Sequence, residues 1–109
     1  MEKGPSTFAE YWTSEYSEIA HFDKHGEEMG FENDINGYSQ AAKNFANSNK
    51  QGIKSFKAHN GSIYKYDPST NEFGIVSRGG KIVTYFSPTR GGSYFNDQFD
   101  MWGDFWINY

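Results

Sequence analysis

An α+β fold is predicted, with N-terminal helices packed on an antiparallel β-sheet. Three observations predict it. Apolar residues recur at helical steps up to about residue 46. Residues 53–88 break into short β-branched and aromatic runs separated by tight turns. The 109 residues suffice for one domain with one core, not two. The chain accordingly divides into a helical part at about 7–46, a β-meander at about 53–88 and an aromatic tail at 93–109.

Thr7-Phe8-Ala9-Glu10 has the form of a capping box, with a hydroxyl at the N-cap and a carboxylate three residues on. Pro5, just ahead, suits a helix entry. From there Phe8, Trp12, Tyr16, Ile19, Phe22 and Met29 recur at steps of three, four and seven, as one apolar stripe on a long first helix. Glu10, Glu15, Glu18, Asp23, Glu27 and Glu28 fall elsewhere and are expected in solvent. Gly26 weakens the helix near its end and Gly30 is its stop. A second helix starts near Asp34 and carries Tyr38, Ala41, Ala42 and Phe45 on one face, and Asn47–Gly52 is a polar linker.

A short strand around Ile53–Ala58 leads into the meander of Ile63–Tyr66, Phe73–Ser77 and Lys81–Phe86. Asp67-Pro68-Ser69-Thr70-Asn71 closes the first pair: Pro68 presets φ, and Asp67 can bond the backbone ahead of it. Arg78-Gly79-Gly80 closes the second, the glycines supplying positive φ. The loop Thr89–Gly92 then leads to a tail holding Tyr94, Phe95, Phe99, Trp102, Phe105, Trp106 and Tyr109 among Asp97, Asp100 and Asp104. The tail reads equally as a packed strand or helix, or as an aromatic, acidic surface for a partner.

Aromatic residues make up 19% of the chain, so Phe, Tyr and Trp must fill most of the core. There is no cysteine, which excludes disulfides and thiolate metal sites and suits a reducing compartment or passage across a membrane in the unfolded state. No run approaches the roughly 20 apolar residues of a membrane span, so no stable membrane association is expected. MEKGPSTF lacks an apolar signal region, so export would be directed from elsewhere, such as a larger polypeptide from which this domain is cut. Charge is segregated. Residues 50–90 carry seven of the ten Lys and Arg against two acids, whereas residues 1–49 carry nine acids, in a chain of net charge −4.

Of the three histidines, His25 lies three positions after Phe22 and four before Met29, on the apolar stripe and directed at the sheet. It reads as a core histidine with one hydrogen-bond partner, or as a general acid or base, since an imidazole both takes and gives a proton near neutral pH. His21 and His25 are spaced i, i+4 with Glu28 three further on, but HExxH is absent and Lys24 opposes a cation, so no metal is expected. Thr84, by strand alternation, shares a side with Ile82 and Phe86, either as an ordinary strand threonine or as a hydroxyl that orients a phosphate. Lys57, Lys65, Arg78 and Lys81 are either a solvated face or, with Tyr64, Tyr66, Tyr85 and Tyr94 interleaved, a surface for single-stranded nucleic acid, with cations on phosphates and rings on bases.

These pieces join into a pattern. It runs His21-Phe22-Asp23-Lys24-His25-Gly26-Glu27-Glu28-Met29-Gly30-Phe31, then Tyr38, Ala42 and Phe45, then Asn60-Gly61. Tyr66-Asp67-Pro68-Ser69-Thr70-Asn71-Glu72-Phe73-Gly74-Ile75-Val76-Ser77 follows, then Gly80-Lys81-Ile82-Val83-Thr84-Tyr85-Phe86 with Pro88, and finally Tyr94 and Gln98. Over residues 20–98 the chain resembles the C-terminal toxin domains of contact-dependent inhibition and Rhs-type bacterial polymorphic toxins. It is more distantly similar to the nuclease domain of colicin D. The resemblance implies the barnase–EndoU–colicin–RelE fold, with a twisted sheet. It also implies a metal-independent ribonuclease without cofactors that acts on tRNA and is neutralised by a cognate immunity protein. Such a domain is delivered as part of a larger secreted or cell-surface protein and works in the target-cell cytoplasm, in some cases with a host activating protein.

On this reading His25, within Lys24-His25-Gly26, is catalytic, and Thr84 is the active-site threonine of the G-x-I-x-T strand. The cation on the phosphate is Lys57, with Arg78 second; Thr84 and Tyr94 orient the substrate, and Lys24, Lys65, Arg78 and Lys81 bind it. A base takes the proton of a ribose 2′-hydroxyl, that oxygen attacks the phosphate, and an acid protonates the leaving 5′-oxygen, giving a 2′,3′-cyclic phosphate. An immunity partner covering a basic cleft is expected to be acidic. Two other readings compete: a non-catalytic module of the same fold that binds RNA or protein through the tail aromatics, and a toxin of the same delivery class with other chemistry, such as NAD turnover.

Overall fold

The computed structural model describes residues 11–109. The capping box at Thr7–Glu10 and the stripe position Phe8 lie outside the described residues. Eight elements follow: α1 (Glu15–His25), α2 (Ile35–Ala46), β1 (Lys54–Ala58), β2 (Ile63–Asp67), β3 (Glu72–Val76), β4 (Ile82–Phe86), α3 (Gly92–Trp102) and β5 (Gly103–Asn108). The strands form one antiparallel sheet in the order β4-β3-β2-β1-β5. This is the α+β fold with helices packed on a sheet that the sequence predicts.

Two aromatic cores lie on opposite faces of the sheet. On one, Tyr38, Ala42 and Phe45 of α2 meet Trp12, Ile53, Ile82 and Tyr85. On the other, Phe95 and Phe99 of α3 meet Phe56, Ala58, Tyr64, Tyr66, Phe73 and Phe86. The pleat explains the sorting, because successive strand residues alternate between faces. In β2, Tyr64 and Tyr66 face α3, while Lys65 and Asp67 face α2.

Local chemistry sets the boundaries. The Asp34 side chain caps α2 by accepting from the Gly37 N–H at 2.9 Å, where the sequence places that helix start. Asp67 Oδ1 accepts from Ser69 N–H at 2.9 Å in the β2–β3 turn, and Asn71 there adopts φ +57°. In the β3–β4 turn Gly80 alone supplies positive φ, at +88°.

The first helix differs from expectation. Its N-cap is Ser14, whose Oγ accepts from Ser17 N–H at 3.0 Å. Trp12 precedes it, in a parallel bridge to Ile82, where Thr13 N–H donates to the Ile82 carbonyl at 3.0 Å. The stripe drawn through Trp12 and Tyr16 is therefore out of phase with the helix. Tyr16 is 81% exposed, Ile19 is 38% exposed and Glu18 is fully buried. The inward face is Glu18, His21, Phe22, His25 and, past the helix end, Met29. Glu18 accepts from Ser39 Oγ of α2 at 2.5 Å.

The tail packs as a helix and then a strand, α3 and β5. Gly103 reverses the chain, Trp106 stacks on Phe99 at 4.3 Å, and β5 pairs with β1 as an edge strand. No helix among the described residues is long and apolar enough to cross a membrane.

Candidate active site

His25 is the last residue of α1, and its placement follows from how that helix ends. Gly26 is buried against its own helix: a Cβ there would lie 2.5 Å from Phe22 Cδ1, so only glycine lets the chain pass so close. The turn after Gly26 brings Glu28 back onto His25, and Nδ1 lies 3.1 Å from Glu28 Oε2. The ring lies flat on Phe86 of β4, centroids 4.7 Å apart and planes within 16°. Its side chain is 13% exposed.

Burial lowers the His25 pKa from its ordinary value, Glu28 opposes that shift, and Lys24 adds to it. The imidazole is thus neutral at neutral pH. With Nδ1–H donated to Glu28, Nε2 is left as the proton acceptor. His21 does not share this role: its Nδ1 is held by the Ser17 carbonyl at 2.8 Å, while its ring lies 5.6 Å from that of Trp12.

His25 lies on Phe86 of the edge strand β4, and the sheet face to which Phe86 belongs also collects Thr84, Ile75, Tyr64 and Tyr94. The register sets Thr84 opposite Ile75, and Ile75 opposite Tyr64, in one row across three strands. A register shift beside Ile75 leaves Val83 without a partner. This bulge breaks the alternation assumed from sequence: Ile82 turns to the α2 face with Tyr85, whereas Thr84 stays with Phe86 on the α3 face. Tyr94, in the first turn of α3, meets Phe73 and Phe86 edge-on at 5.1 and 5.6 Å.

Burial raises the pKa of Tyr94, with Arg90 pulling the other way, and burial together with Tyr94 raises that of Tyr64. Both phenols stay protonated as hydrogen-bond donors. The Arg90 guanidinium carbon lies 5.9 Å from the Tyr94 ring centroid, while Nη1 pairs with Asp97 at 2.7 Å. His25 and Tyr94 are therefore both set against Phe86, with Thr84 two residues before it on β4. Lys24 adjoins them as an exposed neighbour of His25.

The other cations are not brought to this face. Lys57 pairs in register with Ile63 and Phe105, in the row facing α2, so it lies across the sheet from His25. Lys65 is buried and donates to the carbonyls of Phe45, Ala46 and Ser48 at 3.2, 2.9 and 2.8 Å, which closes the C-terminus of α2. It is a helix cap, not a substrate ligand. Lys81 sits exposed at the start of β4, its backbone paired with Ser77. Arg78 is exposed in the β3–β4 turn, folded against Gly61 of the β1–β2 turn.

The charge excess of residues 50–90 is likewise not one patch, because Lys50 pairs with Asp67 at 2.7 Å and Arg90 with Asp97. The face that holds His25 is aromatic rather than basic.

Glu28 and Arg90 were missed as parts of this site. Glu28 carries a signal, its i, i+3 spacing from His25, but in the sequence it reads as a solvated acid or a metal ligand rather than as a partner of the imidazole. Arg90 carried none beyond its distance of four from Tyr94. Among the described residues no group of three or more His, Cys, Asp or Glu is placed to hold a metal ion. No protein-family model matches this chain, and no curated protein does either.

Proposed function

We propose that this chain is an antibacterial toxin domain with metal-independent endoribonuclease activity on tRNA. The observation that carries the reading is the His25–Glu28 pair, seated on the same sheet face as Thr84, Tyr64 and Tyr94. It supports a division of labour. His25 Nε2 takes the proton of a ribose 2′-hydroxyl, and Glu28 steadies the imidazolium that forms. The 2′-oxygen attacks phosphorus and the bond to the 5′-oxygen breaks. That oxygen takes a proton from Tyr94 or back from His25, leaving a 2′,3′-cyclic phosphate and a 5′-hydroxyl. Thr84 and the phenols donate to the non-bridging oxygens, where the transition state gathers charge.

Unpaired bases stack on the half-buried rings at the edge of this face, which suits a single-stranded loop of tRNA. An immunity protein would block the reaction by covering the His25 face. Delivery as part of a larger secreted protein and action in the target-cell cytoplasm belong to the same proposal.

The test is incubation of the purified domain with total tRNA in EDTA, beside His25→Ala, on a denaturing gel. Discrete fragments ending in cyclic phosphate and lost in the variant are expected. Equal cleavage by His25→Ala refutes the assignment. Intact tRNA even with cell extract added favours a binding module, for which the exposed Phe105, Ile107 and Tyr109 of the tail are the candidate surface.

A further inference from the structure

Beyond the His25 face lies a second feature that the reaction does not use. Where α3 ends, Trp102 and Met101 overhang the β1–β2 turn, and the Trp102 carbonyl accepts from His59 N–H at 3.0 Å. Between them is a cavity of about 350 Å³ lined by Ala58, His59, Asn60, Tyr64, Met101 and Trp102. Trp102 is 52% exposed, unusual for so large a ring in a chain whose other two tryptophans are more buried. Asn60 Oδ1 accepts from Ser62 N–H at 2.9 Å, which leaves its amide N–H groups for an acceptor.

Tyr64 joins this cavity to the candidate active site, since it also belongs to the Thr84–Ile75–Tyr64 row. The separation is set by the sheet. From β4 to β1 is three strand intervals, about 14 Å. Arg78, from the β3–β4 turn, reaches the β1–β2 turn beside the cavity. Its side chain lies along Gly61, where a Cβ would come within 3.0 Å of its Cδ, and the bare glycine leaves room for that arm. Among the described residues Arg78 has no ion-pair partner. An aromatic cavity with an amide donor at its rim, a guanidinium near by and a reactive face three strand intervals away match one ligand chemistry. That ligand is an unpaired nucleobase on a strand whose phosphates run past Arg78.

We infer that the cavity between the C-terminal end of α3 and the β1–β2 turn is a nucleobase subsite, in which Trp102 stacks on a base of the bound strand away from the cleaved bond and Arg78 holds a phosphate of the same strand. This rests on the ribonuclease reading of the His25 face, so it is tested with and without cleavage. The affinity of a fluorescently labelled 2′-O-methyl hexanucleotide, which cannot be cut, is measured by anisotropy. Trp102→Ala weakens binding tenfold or more, Trp102→Phe recovers most of it, and Arg78→Ala weakens binding and flattens its salt dependence. In parallel, kcat/KM is compared for a hexaribonucleotide and a dinucleotide with the same scissile step. The advantage of the longer substrate shrinks about tenfold in Trp102→Ala. Failure of the wild type to bind the hexanucleotide, or equal binding by Trp102→Ala, overturns the subsite and returns the cavity to a protein contact. Trp102-dependent binding without any cleavage keeps the subsite and sinks the ribonuclease reading instead.

Discussion

Lys65→Met separates a structural lysine from a substrate ligand. The substitution keeps the aliphatic stem and removes the ammonium that bonds three carbonyls at the end of α2. The bonds to Ala46 and Ser48 are only partly buried, so water replaces the ammonium there. The bond to the Phe45 carbonyl is buried, and an unpaired buried acceptor costs about 1–3 kcal/mol. Loss of a cation at a helix C-terminus adds about 0.5–1 kcal/mol. Relief of the ammonium's own desolvation offsets part of the sum. The net loss is about 2–3 kcal/mol, a fall in Tm of about 10–20 °C for a domain of this size.

Far-UV circular dichroism during heating reads the change, and RNA cleavage is assayed well below the new midpoint. The expected result is a large drop in Tm with near-wild-type kcat/KM, because Lys65 faces α2 from the central strand β2 and His25 lies on Phe86 of the edge strand β4. A Tm within about 3 °C of wild type, or a loss of RNA affinity at unchanged stability, refutes the cap and restores Lys65 as a ligand.

Glu28→Gln removes an interaction that raises the His25 pKa, so the acid limb of a kcat/KM–pH profile moves to lower pH; movement to higher pH contradicts the pairing. Tyr94→Phe keeps the ring packing on Phe73 and Phe86 but deletes the hydroxyl; kcat falls about 10²-fold with an unaltered melting curve. Asp67 is pushed up by burial but pulled further down by its bonds to Lys50 and Ser69, to about 2, against 3.8 unperturbed. Stability from a depressed carboxylate is complete above the unfolded value and is lost as pH falls from 3.8 through 2, here about 2 kcal/mol. Asp67→Asn, compared with wild type in acid titrations followed by circular dichroism, lacks that loss.

Much of the meander was legible because its signals are local. Asp67 and Gly80 shape their own turns and Asp34 caps its own helix, even though Asp67 also pairs with Lys50 from outside its turn. The errors have the opposite origin. Trp12 looks helical by spacing, but a backbone bond to Ile82, seventy residues away, takes it out of the helix and shifts the stripe. Glu18 reads as solvated until Ser39 arrives from α2. The bulge at Val83 depends on β3 and turns Ile82 away from Thr84. Charge segregation along the chain did not become segregation in space, because alternation sends Lys57 and Lys65 to the α2 face and ion pairs absorb Lys50 and Arg90. His25 meets the sheet as its place on the helix predicts, Thr84 shares a side with Phe86 but not with Ile82, and Tyr94 packs on the same Phe86. Their assembly into one face with Glu28 needed the turn after Gly26 and the return of α3, which no spacing encodes.

The pairing of β5 with β1 has a consequence for how the sheet comes into being. β1 finds β2 across a short turn, but its other neighbour lies some fifty residues further along, with Ser55 opposite Asn108. The hairpins β1–β2, β2–β3 and β3–β4 can close early and independently. The β1 edge and the Phe56 ring stay uncovered until α3 has docked and Trp106 has swung back. Closure of that long loop is a slow, late step in the search for the native state, and it reopens first under load. A chain drawn through a narrow channel from the β5 side would lose its edge strand before any hairpin is touched.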